Sequence, residues 1–153
     1  MLKIGYLCTT TVYLCIDHSD KIIDKYCDLI LVGDSVGMVL YGMKSTKYVD
    51  LKMMIAHAKS VCLGARHSLV IVDMPFKTYT NKYQAYKNAK KIIKLTGCDG
   101  VKLEGGKNIK NIVKHLVKNG INVMGHVGLL PQFVASYKVQ GKNENQKKNI
   151  VND

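Results

Sequence analysis

The strongest constraint on this chain is a repeated alternation of short, continuous apolar runs with longer stretches of helical periodicity. Asp28-Leu-Ile-Leu-Val-Gly33 and Leu69-Val-Ile-Val-Asp73 are unbroken apolar runs rich in β-branched residues. Such runs are expected of strands buried on both faces, as in a parallel sheet covered by helices. Thr11–Asp17, Gly100-Val-Lys-Leu-Glu104 and Ile121–His126 read as three further strands. Between them, Val49–Gly64 places Leu51, Met54, Ile55, Ala58, Val61 and Cys62 at helical spacing. Tyr83–Leu95 and Ile109–Val117 are the next helices, stopped by Gly97 and by Asn119-Gly120. Ser19–Tyr26 is a short helix with Ser19 as its N-cap. Strands alternating with helices imply parallel βαβ units of about 30 residues each.

Composition narrows the function classes. The chain has 153 residues, 47% of them hydrophobic and 22% charged, the balance of a globular protein with one core. No run of 18 or more apolar residues occurs, so no membrane span is expected. The start lacks the layout of a cleaved secretory signal, and a cytoplasmic protein is expected. The net charge of +12 raises the question of nucleic acid. The basic residues are dispersed, and Arg66 is the only arginine, whereas base and phosphate readers favour arginine forks. No nucleic-acid partner is expected. Cys8, Cys15, Cys27, Cys62 and Cys98 are odd in number and form no C-x-x-C pair. They read as small hydrophobes in a reducing compartment.

The polar residues fall at one place in the pattern. Asp17, Asp34, Asp73, Glu104 and His126 each lie at or just beyond the C-terminal end of a predicted strand. In parallel α/β folds ligands bind at that edge. A single aspartate there is commonly a helix cap. Asp73, however, precedes Met74-Pro75, Glu104 precedes Gly105-Gly106, and glutamate caps poorly. Carboxylates converging on one point repel one another unless a cation lies among them, and hard oxygen donors suit Mg²⁺. No Cys/His set at zinc spacing competes. Gly33, Gly37, Gly105 and Gly106 allow close backbone approach, but no dinucleotide fingerprint or P-loop is present. Lys102 lies two residues before Glu104 and shares its face of the strand. Spacing leaves two roles open for it: a salt bridge inside a barrel, or a cation that holds a substrate carboxylate.

The motifs around these residues resemble one family. Gly33-Asp-Ser-Val-Gly-Met38, Asp73-Met-Pro-Phe76, Val101-Lys-Leu-Glu-Gly-Gly106, Gly125-His-Val-Gly-Leu129 with Pro131-Gln132, and Tyr137-Lys-Val-Gln-Gly141 occur in the order found in ketopantoate hydroxymethyltransferases. The resemblance runs from about Asp28 to Gly141 and is poor over the first 27 residues. Asp17 stands where the family has the aspartate of a tyrosine-aspartate pair, with Ile16 in place of the tyrosine. The resemblance implies an α/β fold of the (β/α)8 TIM-barrel type. It also implies transfer of a hydroxymethyl group from 5,10-methylenetetrahydrofolate to 3-methyl-2-oxobutanoate, giving 2-dehydropantoate in pantothenate biosynthesis. Carried over by motif, Asp34, Asp73 and Glu104 form the magnesium site. Asp34, Ser35, Asp73, Lys102 and His126 contact the keto acid or line its pocket. The family also implies a homo-oligomer.

A whole barrel needs about 250 residues. Residues 1–153 are therefore expected to form one partial barrel domain of about five β/α units. The family's general-base glutamate is expected beyond Asp153, so no catalytic base is assigned within the chain. Open strand edges are expected, and the chain alone is expected to have little or no transferase activity. Two other functions remain possible from the sequence: a magnesium-dependent keto-acid enzyme of the phosphoenolpyruvate mutase and isocitrate lyase type, or a non-catalytic remnant that pairs through its open edge. Residues 142–153 are polar and lysine-rich, and could begin a helix with no apolar face.

Overall fold

The computed structural model describes the backbone of residues 9–11, and residues 24–134 and 138–153 in full. The strands are β1 (Thr9–Thr11), β2 (Leu29–Val32), β3 (Leu69–Asp73), β4 (Gly100–Glu104) and β5 (Val123–His126). They form one sheet in the order β1-β2-β3-β4-β5, with every neighbouring pair parallel. The helices are α1 (Val36–Val39), α2 (Leu51–Gly64), α3 (Lys82–Thr96), α4 (Lys110–Lys118) and α5 (Glu144–Asn152), with 3₁₀ turns at Thr46–Tyr48 and Lys107–Ile109. Sequential strand order with a helix in each crossover from β2 to β5 is the winding of a (β/α)8 barrel wall.

The helices begin and end where local chemistry dictates. The Asp50 carboxylate accepts the Met53 N–H at 2.7 Å and starts α2. Asn81 accepts from the N–H groups of Tyr83 and Gln84 and starts α3. Gly97 closes α3 in the left-handed conformation at φ 79°, which glycine adopts without a Cβ clash. Asn143 caps α5, which buries none of its residues, as its polar sequence predicts.

Alternate residues along each strand face opposite ways. Ile30, Val32, Val70, Val72, Val101 and Leu103 belong to the buried cluster that also holds Met54, Ala58 and Val61 of α2, Ala85, Ala89 and Ile92 of α3, and Leu116 of α4. Burying each large side chain there contributes roughly 1.5–3 kcal/mol. The other face is the inner face of the barrel wall. At its lower end Leu29, Leu69, Ile71 and Met124 border a cavity of about 690 Å³. Leu69 is 37% exposed there, so apolar surface of the inner face remains uncovered among the described residues.

Several expectations shift. β3 and β4 have the expected bounds. β5 starts at Val123, not Ile121, because Ile121 N–H turns back to the Leu116 carbonyl. A 3₁₀ turn precedes α4, which starts at Lys110 rather than Ile109. α1 and the Thr46–Tyr48 turn were not expected, since neither is long enough to show a period. The first strand, expected at Thr11–Asp17, overlaps β1 only at Thr11. Residues 12–17 and most of Ser19–Tyr26 lie outside the described residues, as do Cys8 and Cys15. Cys98 is buried, and Cys27 and Cys62 are half-buried, in keeping with packing roles.

Asp24 ties the segment before β2 to the loop before β3. Its carboxylate accepts the backbone N–H groups of Arg66 (2.8 Å), His67 (3.0 Å) and Ser68 (2.8 Å). Burial raises its pKa, but these bonds and the Ser68 hydroxyl outweigh burial and hold it at about 2. A depressed carboxylate stabilises the fold above its unfolded pKa and loses that contribution as pH falls. Asp24→Ala is expected to destabilise by about 2 kcal/mol at pH 7, because three N–H groups lose their acceptor. Chemical denaturation should show the wild-type advantage intact at pH 5 and fading as pH drops through about 2. An equal loss at all pH values would contradict the charge-based account.

Candidate active site

Gly33 ends the β2 segment and delivers Asp34 to the upper edge of the sheet. Asp73, Glu104 and His126 are the last residues of β3, β4 and β5. Asp34, Asp73 and Glu104 are 3%, 4% and 2% exposed. Together with Gly33, Ser35, Thr46, Lys102 and His126 they line one cavity of about 200 Å³. That volume suits a ligand smaller than a typical drug molecule. All the residues expected at the site thus meet there, except Asp17, which lies outside the described residues. Gly37 lets the α1 turn approach: a Cβ there would collide with the side chains of Val49 and Met43.

The carboxylates are held unequally. Lys102 Nζ lies 2.5 Å from Asp73 Oδ1, and the Asp34 N–H donates to Asp73 Oδ2 at 3.1 Å. Both oxygens of Asp73 are therefore engaged. Glu104 Oε2 accepts the Gln132 backbone N–H at 2.9 Å. Glu104 Oε1 is 3.2 Å from His126 Nδ1, but the pair is not aligned as a hydrogen bond, so it attracts only when the ring is protonated. Asp34 Oδ2 accepts from Gln132 Nε2 at 2.7 Å. Asp34 Oδ1 has no hydrogen bond among the described residues.

Three buried carboxylates face one ammonium group, so the site carries excess negative charge. Burial, then the Asp73 charge, push Asp34 up to about 7 despite the Gln132 bond. Burial also raises Asp73, by more than the Lys102 ammonium lowers it. Lys102 takes the first of its two sequence-level roles, the internal salt bridge, while still lining the cavity. Among the described residues no three Asp, Glu, His or Cys side chains gather tightly enough to cage a metal ion as they stand. Lys102 occupies the near side of Asp73, and Gln132 spans Asp34 and Glu104. The donor set nevertheless fits a hard divalent cation: oxygen ligands, uncompensated charge and one open carboxylate oxygen.

Gln132 and Tyr79 belong to the hydrogen-bond network around the carboxylates, and spacing did not reveal them. Both are buried, and the Tyr79 hydroxyl meets Gln132 Oε1 at 2.5 Å. Gln132 entered the sequence argument only within a family motif, and Tyr79 not at all. Both sit in loops, where no period marks a buried position.

The backbone superposes on solved structures of barrel enzymes. A 2,3-dimethylmalate lyase of the PEP mutase/isocitrate lyase superfamily gives a TM-score of 0.57 at 15% identity, over 78% of this chain and 48% of that one. An oxaloacetate acetylhydrolase gives 0.54 at 15% identity, over 77% and 46%. At such identity the likeness concerns fold alone, and it defines the class: an α/β-barrel protein, here an incomplete barrel with polar residues at the C-terminal strand ends.

The sequence comparisons are closer. The family described as Ketopantoate hydroxymethyltransferase matches residues 7–153. A 3-methyl-2-oxobutanoate hydroxymethyltransferase of Pelagibacter ubique (strain HTCC1062) is 55% identical over 133 residues, covering 87% of this chain and 52% of that protein. One from Anaplasma marginale (strain St. Maries) is 52% identical over 136 residues, covering 87% and 49%. The chain belongs to the ketopantoate hydroxymethyltransferase family. It spans about half the length of the curated relatives it matches.

The raised Asp34 makes a testable demand on stability. A carboxyl whose folded pKa lies above its unfolded value favours the fold at low pH, and that contribution is lost as pH rises to the folded pKa. In metal-free buffer Asp34→Asn is expected to stabilise the chain by on the order of 2 kcal/mol at pH 8. The gain should shrink as pH falls from about 7 and vanish near pH 3.8. Urea melts across that range measure it. A variant no more stable than wild type at pH 8 would contradict the charge imbalance.

Proposed function

We propose that the site serves transfer of a hydroxymethyl group from 5,10-methylenetetrahydrofolate to 3-methyl-2-oxobutanoate, giving 2-dehydropantoate, with Mg²⁺ bound among Asp34, Asp73 and Glu104. The observation that carries this reading is the buried trio of carboxylates facing one lysine, on a chain of this family. A 2-keto acid is itself an anion. It would be repelled from such a cavity unless a cation first offset the charge. Asp34, with its open oxygen, would be a ligand, together with Asp73 and Glu104. When bound, Mg²⁺ would supply Lewis-acid polarisation of the 2-keto group and so make the C3 proton more acidic.

The chain's own residues do the rest. Lys102 has its ammonium at the cavity wall, where it would meet the substrate carboxylate while remaining paired with Asp73. Ser35 borders the same cavity and offers a hydroxyl to a substrate oxygen. His126 lines it from β5. The burial of the carboxylates keeps bulk water from screening these interactions, which strengthens each of them. Loss of the C3 proton leaves an enolate, whose negative charge develops near Lys102. A new carbon–carbon bond would then form between C3 and the folate-borne methylene carbon. Both carbon–nitrogen bonds of that carbon would break, water would supply the hydroxyl oxygen, and the C3 proton and one water proton would end on the folate nitrogens as tetrahydrofolate leaves. The lyase-type alternative draws only a shared fold from the structural neighbours. We infer a protein that works on small molecules away from membranes. No helix among the described residues is long and apolar enough to cross a bilayer.

Two measurements test the reading. Isothermal titration should show Mg²⁺ binding to the 153-residue chain, weakened about tenfold or more in Asp73→Asn. A chimera joining this chain to the C-terminal portion of the Pelagibacter ubique relative should turn over 3-methyl-2-oxobutanoate. In that chimera Lys102→Ala should raise KM by about tenfold or more, through loss of a charged contact. A folded chimera that binds Mg²⁺ but leaves the keto acid unchanged would contradict the proposed reaction. Unaltered Mg²⁺ affinity in Asp73→Asn would contradict the ligand assignment.

A further inference from the structure

Gln132 lies in the loop after β5 and is only 1% exposed. Both ends of its side-chain amide and its backbone N–H are engaged. Side-chain Nε2 donates to Asp34 Oδ2 at 2.7 Å and to the Met74 carbonyl at 2.9 Å. Oε1 accepts the Tyr79 hydroxyl at 2.5 Å, and the backbone N–H donates to Glu104 Oε2 at 2.9 Å. The orientation of the amide is dictated by its neighbours. The Met74 carbonyl can only accept, so Nε2 must face it. Burial raises the Tyr79 pKa, which keeps its hydroxyl protonated and able to donate. The Glu104 N–H in turn points at the Tyr79 oxygen at 3.3 Å. The result is a closed ring of hydrogen bonds: Glu104 to Tyr79, Tyr79 to Gln132, and Gln132 back to Glu104, with a branch to Asp34.

A glutamine that merely tethered its loop would need only one or two of these bonds. Here the side chain holds Asp34 while the backbone N–H of the same residue holds Glu104, through one oxygen of each carboxylate, beyond β2 and at the end of β4. The open oxygen of Asp34 is thereby fixed in direction. We propose that Gln132 is a positioning residue for the cation site, with Tyr79 setting the orientation of its amide. The inference rests on the cation reading given above. Gln132 need not touch the ion. It holds Asp34 and Glu104 at a fixed separation, and so lets a residue in the β5 loop tune ligands at the ends of β2 and β4. Partners of metal ligands in the surrounding shell commonly act in this manner.

Electron paramagnetic resonance titration of Mn²⁺ into the 153-residue chain tests this, with thermal unfolding run on the same samples. Gln132→Met has similar length but no side-chain donors, so it frees Asp34 while keeping the backbone bond to Glu104, and should weaken Mn²⁺ binding ~10–100-fold. Tyr79→Phe keeps the packing and removes one hydroxyl. It should weaken binding by about threefold to tenfold and keeps the test open if Gln132→Met fails to fold. A merely structural glutamine predicts a lower Tm in both variants with unchanged Mn²⁺ affinity, and that result would overturn the proposal alone. Absence of Mn²⁺ binding in the wild-type chain would overturn the cation reading and this inference with it.

Discussion

The contact between Lys102 and Asp73 is the interaction on which the rest of the site depends. A carboxylate as deeply buried as Asp73 is expensive to ionise, and an adjacent ammonium group is the means of offsetting that expense. The pair joins β4 to β3 on the inner face of the sheet, and the register Asp73 to Lys102 brings the two residues side by side. Asp73 then uses its second oxygen to hold the backbone of Asp34. One ion pair thus anchors three consecutive strand ends. Yet it compensates only one of three carboxylates. The imbalance that remains is concentrated at Asp34, the residue with an open oxygen.

Stability and function pull in opposite directions here. The helix-facing side of the sheet is conventional, with Val72, Val101 and Leu103 fully buried against α2, α3 and α4. That side supplies the stability from which the inner face draws. Functional sites generally carry such strain, and relieving it stabilises a fold while disabling it. The upper inner face gathers charge, and the lower inner face is apolar, with Leu29, Leu69 and Ile71 bordering an open volume. In a closed barrel that region is filled by side chains from strands around the ring. The chain spans about half the length of its curated relatives, and the structural neighbours are covered to a similar extent.

Much of this was legible in the sequence, for a physical reason. Leu69–Asp73 is read at its true bounds because a continuous apolar run ends abruptly in an acid, and Gly100–Glu104 because a glycine and an acid bound a short run broken only by Lys102. The same abrupt end located the site: acids placed after strands converge wherever the sheet is parallel. What spacing could not supply was the wiring. Nothing in the sequence pattern says that Gln132, 98 positions from Asp34, donates to it. Nor does it say that the Tyr79 hydroxyl completes the ring. Those bonds depend on loop conformation, and loops carry no period. Short elements such as α1 escaped for the same reason, and Lys102 had two roles that only coordinates could rank.

The central claim is that excess negative charge at the upper inner face makes this a cation site. Crystals of the chain soaked in Mn²⁺ would test it most directly, through the anomalous scattering of the metal. The account predicts a single strong peak in the cavity, within bonding distance of Asp34 Oδ1 and adjacent to Asp73 and Glu104. A well-ordered cavity with no peak there, or a peak only at surface carboxylates, would contradict it.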